Sequence, residues 1–227
     1  MTASAERAAI PALDSPEAIA DTVRRLGFLP FFKNPVPGFS IAEHTPPALW
    51  FSDTQEGPWE WKGPVARSGC VYGKFFSGRA GFISRDWFPV FANYRRRGYD
   101  FDALFDDGLA SHGDRQLYEL LAQRGSMLSK ELKGLAGAKG FDGRITRLQM
   151  ECYVVIADFE YQRDRQGRPY GWGVARYAAP EALFGAEFMA EAYREEPEAS
   201  RARVYAHLRA LWPEAEERQI KKLLGDP

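Results

Sequence analysis

The sequence predicts an α+β protein, with a winged helix-turn-helix domain preceded by an aromatic, proline-rich half containing a small β-hairpin and followed by C-terminal helices. Three observations carry this expectation. Between Leu117 and Cys152, apolar residues recur at helical spacing in three successive blocks, separated by Gly125 and by Gly137-Ala138-Lys139-Gly140. From Tyr153 the period falls to two and stays there through a pair of strands ending at Tyr177. Upstream, Phe28 to Pro64 is dense in proline, which disfavours long regular elements, and in aromatic rings, which disordered linkers avoid. The expected units are a flexible start over 1–15, an α+β half over 16–111, a winged-helix domain over 112–178 and bracing helices over 179–227.

The elements follow in order. Asp14 or Ser15 caps a helix that opens at Pro16, aligns Ile19, Val23 and Leu26 on one face, and stops at Gly27. The proline-rich segment after it reads as an ordered wrap over a core. Gly69 to Phe76 is a strand, Ser77-Gly78 a turn, and Arg79 to Ile83 the returning strand. Ser84 then caps a helix running to Arg97, which Pro89 shortens or kinks, and Asp100 starts a short helix.

Leu117, Leu120, Leu121 and Arg124 mark the next helix. Ser129 caps a short one whose Leu132 and Leu135 align with Leu128, and Asp142 caps a third carrying Phe141, Ile145, Leu148 and Cys152. Tyr153, Val155, Ala157, Phe159 and Tyr161 share one face of a strand, which Gln162 to Arg168 joins to a second strand from Tyr170 to Tyr177. Pro180 opens a helix to Glu195, Pro197 opens one aligning Val204, Leu208 and Leu211, and Pro213 opens the last, ending at Gly225.

Composition excludes several classes. Of 227 residues, 45% are hydrophobic and 27% charged, as in ordinary globular proteins, and 30 Lys+Arg against 31 Asp+Glu leave a net charge of -1. No global field then draws the chain to nucleic acid or a lipid surface, so any anionic partner is met locally. No apolar run approaches the roughly 20 residues of a membrane-spanning helix, and the start lacks the basic and apolar regions of a signal peptide. A cytoplasmic protein without a membrane partner is expected, its oligomeric state left open. Cys70 and Cys152 have no second Cys or His at ligand spacing, so no disulfide framework, metal site or cofactor is expected, and both read as packing thiols. Gly-Lys-Ser/Thr loops, Gly-x-Ser-x-Gly and His-Glu-x-x-His are missing, and the glycines of Tyr170-Gly171-Trp172-Gly173 read as close backbone packing in a strand.

Two constellations carry chemistry. Helix, short helix, turn, third helix and hairpin are the order of a winged helix. Opposite its apolar stripe the third helix bears Gly143, Thr146, Arg147 and Met150, with Arg144 on the flank. In a major groove Arg147 and Thr146 would contact bases or phosphates, while Arg163, Arg165 and Arg168 at the hairpin tip would lie on phosphates or in the minor groove. Over 114–177 eleven positive residues face eight negative, a small local surplus, and double-stranded DNA is the partner this unit suggests. The other reading of the unit is a protein-interaction scaffold.

The second constellation is Gly57-Pro58-Trp59-Glu60-Trp61-Lys62-Gly63-Pro64, with Glu43-His44 upstream. In a strand, Trp59 and Trp61 would share one face and Glu60 and Lys62 the other. Trp50, Trp59, Trp61 and Tyr72 could line a pocket that stacks an extruded base, with Glu60, Glu43 or His44 as the acid or base acting on it. The alternative puts the indoles in the core, Glu60 and Lys62 on the surface as a pair, and His44 in a structural hydrogen bond. A buried Glu60 facing an open cleft favours an enzyme; a closed aromatic core with an exposed Arg147 face favours a binding module.

At Gly125-Ser126-Met127-Leu128-Ser129-Lys130-Glu131-Leu132, followed by Phe141 to Glu151 and the long hairpin, the chain resembles the AlkZ/YcaQ-type winged-helix DNA glycosylases. Through Gly27 to Trp61, Tyr72 to Tyr94 and Ile145 to Tyr177 it is more closely similar to a group of bacterial proteins described as AlkZ-related. The resemblance implies a DNA-associated protein, with hydrolysis of the N-glycosidic bond of alkylated bases as its enzymatic version and a non-enzymatic winged-helix regulator or scaffold as the other. The glycosylases carry Gln, an apolar residue, then Gln or Asp early in the chain to orient water. Here no such triplet precedes residue 110, and Gln149-Met150-Glu151 is the near match, at the end of the third helix.

Overall fold

The computed structural model describes residues 8–52, 54–167 and 169–226. Ser15 is extended and its hydroxyl accepts the Ala18 amide at 3.2 Å, so Pro16 opens α1 (Pro16–Leu26) where its missing N–H removes no helical bond. Ile19, Val23 and Leu26 are buried as their spacing predicts. Gly27 ends α1 at φ 82°, and a Cβ there would stand 2.5 Å from Trp87 Cδ1, so both backbone and packing require glycine. The chain enters β1 (Phe28–Pro30) directly, then a short helix α2 (Ile41–His44) and a 3-10 turn (Pro47–Leu49).

Residues 58–67 correct the strand expected around the Trp-Glu-Trp-Lys run: they form helix α3 (Pro58–Arg67). Gly57 is extended, Pro58 occupies the first turn, and Glu60 Oε2 accepts the Gly57 amide at 2.9 Å, three N-terminal helix signals that outweigh the two-residue alternation. On a helix Trp59 and Trp61 diverge, whereas Trp59 and Lys62 are neighbours.

The expected hairpin forms from β2 (Val71–Phe76) and β3 (Arg79–Ile83), turning at Ser77-Gly78. Helix α4 (Phe88–Arg96) begins three residues later than predicted. Ser84 instead uses its carbonyl to hold the Trp87 and Phe88 amides in a turn, and Pro89 falls in the first helical turn, where it fits. Asp100 caps α5 (Phe101–Asp106) and Ser111 caps α6 (His112–Arg124), which Gly125 ends.

Strand β4 (Ser126–Leu128) was not anticipated. It leads into α7 (Ser129–Ala136), whose cap is Leu128 rather than Ser129, with Glu131 accepting the Leu128 amide. Gly140, in a left-handed conformation, caps α8 (Phe141–Met150) in place of Asp142. Cys152 lies beyond the helix at φ 61°, yet it is fully buried with Phe141, Ile145 and Leu148. Strands β5 (Val155–Arg163) and β6 (Pro169–Ala178) form the long hairpin.

The long helix expected after Pro180 is interrupted at Gly185, φ 97°, into α9 (Pro180–Phe184) and α10 (Ala186–Ala190), followed by a 3-10 turn (Glu191–Tyr193). Helix α11 (Pro197–Leu211) buries Val204 and Leu208. The last helix, α12 (Glu217–Leu224), starts after Pro213 because Gln219 Oε1 accepts the Glu216 amide and fixes the cap there; it ends at Gly225 as expected.

All six strands belong to one antiparallel sheet in the order β1-β3-β2-β5-β6-β4. Tyr72 opposite Ile156 joins the first hairpin to the second, and Met127 opposite Tyr177 adds β4. One hydrophobic cluster runs from Ile10 to Leu224. Within it Arg96 of α4, its side chain wholly buried, donates to Glu181 Oε1 at 2.6 Å, to Tyr193 Oη at 2.7 Å and to the Cys152 carbonyl at 2.8 Å, over the Tyr153 ring. Burial opposes the charge, but Glu181 and Tyr193 outweigh it and raise the Arg96 pKa. No helix among the described residues is long and apolar enough to cross a membrane.

Candidate functional site

Helix α3 and the long hairpin face each other across a cleft of about 330 Å³. One wall is Trp59, Glu60 and Lys62 from the start of α3, with Leu49 to Ser52 beside them; the other is Tyr161 of β5 and Gly171 to Gly173 of β6. The hairpin thus forms one wall of a site whose other wall comes from the aromatic, proline-rich half. Tyr161 Oη donates to the Trp59 carbonyl at 2.8 Å and locks the two walls. Gly173 lets the Tyr161 ring lie flat on β6, since a Cβ there would meet its Cζ at 2.8 Å.

The cleft is built of rings. Trp59 stands 5.6 Å from Trp50, 5.8 Å from Trp172 and 6.0 Å from Phe32 between ring centroids, with near-perpendicular planes at both tryptophans. Trp172 is 75% exposed and Phe51 83%, so broad apolar faces stay open to solvent at the rim. Tyr72 lies beneath, packed on Phe31, Phe82 and Phe159, and buried. Trp61 turns into the core instead of the cleft.

Two charged groups occupy this apolar setting. Glu60 is half-buried, lines the cleft, and has one carboxylate oxygen fixed by the Gly57 amide. Lys62 is 9% exposed, its Nζ 4.2 Å from the centroid of Phe159 and 5.5 Å from that of Trp59. Among the described residues no carboxylate forms an ion pair with it. Burial lowers the Lys62 pKa, and Glu60 opposes that shift without reversing it. Burial, then Glu60, Glu56 and Asp158, push the Tyr161 phenol up to about 12.

Two further depressions adjoin. Beyond Glu60 and Tyr161 lies an acidic one holding Glu56, Asp158 and Glu160, in which Arg67 pairs with Asp158. On the other side a cleft of about 490 Å³ presents Lys33, Arg79 and Lys222 with no carboxylate in its lining. Phe32 lines that basic cleft and contacts Trp59, so the basic and aromatic clefts are neighbours.

The other predicted residues lie elsewhere. Glu43 accepts the Gly38 amide at 2.8 Å and the Ser40 hydroxyl at 2.6 Å, and His44 Nε2 meets the Gly38 carbonyl at 2.9 Å, so both close the loop before α2. Arg144 donates to the carbonyls of Ala136, Gly137 and Lys139 at the end of α7. Thr146 accepts from Lys74 Nζ at 3.1 Å and packs with Met150 over the turn at Gly78. Arg147 pairs with the wholly buried Asp114 and lies 3.7 Å from Glu151. Burial would raise the Asp114 pKa, but the Ser111 hydroxyl and amide together with Arg147 lower it. Arg165 is exposed at the hairpin tip; Arg168 and the side chain of Arg163 lie outside the described residues. Gln149 is wholly buried, accepting from the Lys74 amide and donating to the Ile145 carbonyl.

Sequence reasoning missed Lys62 as a buried group, Trp172 as an open ring, and the Lys33, Arg79 and Lys222 cluster. Trp172 carried a usable signal, an indole flanked by two glycines in a strand. The basic cluster carried none, since its members come from three separate parts of the chain. Among the described residues no group of three His, Cys, Asp or Glu could hold a metal ion.

Neither the curated proteins nor the solved structures hold a match to this chain. A family model does match: that of the family described as AlkZ related, over residues 13–225.

Proposed function

The chain belongs to the AlkZ-related family, and from that premise and the aromatic cleft we propose that it is a DNA-associated protein with a glycosylase-like site for a damaged base. The observation that carries this reading is a cleft of open indoles with a half-buried carboxylate inside it and a basic depression beside it. An extruded base needs ring faces to stack on, a polar group at the reacting bond and cations along its backbone.

In this reading the base stacks on the open face of Trp172, with Trp59 edge-on beside it. Glu60, its orientation set by the Gly57 amide, accepts a proton from water as that water bonds to C1′ and the bond from C1′ to the base nitrogen breaks. Lys33, Arg79 and Lys222 hold phosphates on the adjoining face. The run from α6 to β6 acts as a winged helix, its hairpin presenting Arg165 to the backbone and walling the base site with Trp172 and Tyr161.

The competing reading is a non-enzymatic winged-helix regulator or protein-interaction scaffold. Arg144 and Arg147 favour its scaffold form over a DNA-binding regulator, because both already serve internal partners and Thr146 is covered by Lys74.

One experiment separates the two. Wild-type protein and Glu60→Gln are mixed with intact and alkylated duplexes at two salt concentrations, and binding and abasic sites are measured. Salt-sensitive binding by both proteins, with abasic sites from wild type alone, is the expected result. Abasic sites from the Gln variant remove Glu60 from the chemistry, binding without any abasic sites leaves a regulator, and no binding at low salt leaves the scaffold.

A further inference from the structure

Among the described residues Lys62 has aromatic rings over its amine and no ion-pair or hydrogen-bond partner. A lysine that is 9% exposed is commonly held there by a carboxylate, yet this Nζ lies over the faces of Phe159 and Trp59. The acids of the neighbouring depression, Asp158 and Glu160, are instead paired with Arg67 and Arg176. Lys62 is also among the residues lining the open cleft, one helical turn from Trp59 and two residues from Glu60. An amine desolvated against rings, on a residue lining an open cleft that also holds a carboxylate, is an arrangement that makes lysine a nucleophile toward carbonyl carbon.

We propose that Lys62 forms a Schiff base with an aldehyde held in the aromatic cleft, and that the natural aldehyde is the ring-opened sugar of an abasic site in DNA. The identity of the aldehyde rests on the base-handling function proposed above; the reactivity of the amine does not. The Nζ lone pair attacks the C1′ aldehyde carbon, and the carbonyl π pair moves to oxygen, which takes a proton. Nitrogen gives up a proton and the carbinolamine loses its hydroxyl as water, leaving a C1′–Nζ double bond. One aldehyde and one amine become one imine and one water, with no change of oxidation state. Glu60, the carboxylate in the same cleft lining, takes the proton from nitrogen through water and returns it to the departing hydroxyl. Burial, which lowers the Lys62 pKa, keeps more of the amine in its nucleophilic form.

The test is reductive trapping of the intact protein. Wild type, Lys62→Arg and Lys62→Met are incubated with cyanoborohydride and either a duplex holding one abasic site or benzaldehyde, while DNA binding is followed by fluorescence anisotropy. The adduct is located by peptide mass spectrometry on wild type, so the result does not depend on a variant folding. The expected result is a stable adduct on Lys62 with both probes, at least tenfold above any other lysine, and its loss in both variants. Arginine keeps the charge over the rings but forms no such imine under these conditions, so an adduct yield unchanged in Lys62→Arg overturns the proposal. DNA binding with trapping spread over surface lysines also overturns it and leaves the base-handling reading standing. Selective trapping of benzaldehyde on Lys62 without DNA binding upholds the amine and sinks the DNA reading.

Discussion

Removing the ring of Trp172 separates a ligand-stacking role from a structural one, because this indole does so little for the fold. It is 75% exposed, and the ring it meets is Trp59, at 5.8 Å and 81°. One edge-to-face pair is worth about 0.5–1.5 kcal/mol, so Trp172→Ala lowers stability by about 1 kcal/mol or less at so exposed a position. If a base stacks on the same ring, the loss in binding is about 1–3 kcal/mol. That corresponds to a roughly 5-fold to 160-fold weaker dissociation constant. Anisotropy titrations of a short single strand with wild type and Trp172→Ala, paired with urea melts of both, give the two quantities independently. Equal affinities, with stability near that of wild type, would refute the claim that the cleft stacks bases.

Three other perturbations test the frame around the cleft. In Gly57→Ala the new Cβ would stand 1.8 Å from the Leu49 carbonyl oxygen, so the cleft wall must move; a loss of about 1–3 kcal/mol in a urea melt is expected. Arg96→Ala leaves the Glu181 carboxylate and the Cys152 carbonyl without their donor, and the expected loss is about 3–5 kcal/mol, a value under 1 kcal/mol refuting the keystone role of Arg96. For Lys62 the folded pKa lies below its unfolded value of about 10.4, so between the two the unfolded chain binds more protons. Wild-type stability therefore rises with pH across that window relative to Lys62→Met, by at most about 1.4 kcal/mol per pH unit, and a flat difference would contradict the burial of the amine.

Local signals in the sequence were reliable where one segment decided the outcome. Ser15 with Pro16, the spacing of Ile19, Val23 and Leu26, and Gly27 delimit α1 without help from the rest of the chain. Asp100 and Gly125 mark helix ends in the same way. Misreadings arose where two local signals competed. Trp59 to Lys62 alternates like a strand, and Gly63-Pro64 reads as a stop, yet Gly57, Pro58 and Glu60 set up a helix that carries Pro64 within it. Gly185 broke a helix that Pro180 had begun, although its flanks are good helix formers.

The candidate site was legible in its pieces and not in its assembly. Trp50, Trp59 and Glu60 were marked by composition, but the opposite wall comes from Tyr161 and Trp172, about a hundred positions away in sequence. What brings them together is the rung between Tyr72 and Ile156, the Tyr161 phenol on the Trp59 carbonyl and the Arg67–Asp158 pair, none of which periodicity announces. The burial of Lys62 depends on Phe159 in the same way. Conversely, the outward face predicted for α8 was computed from one helix alone, and Lys74 and Asp114, from other elements, take up Thr146 and Arg147.

The central claim is that a nucleic-acid base enters the cleft walled by Trp59 and Trp172. Its most direct measurement is tryptophan fluorescence during titration with a duplex containing one alkylated base, at low and moderate salt, in wild type and in Trp172→Phe with Trp59 retained. Saturable quenching that weakens as salt rises and shrinks in the variant is the predicted result. Fluorescence that does not respond while anisotropy reports bound DNA would place the nucleic acid elsewhere on the molecule and contradict the account.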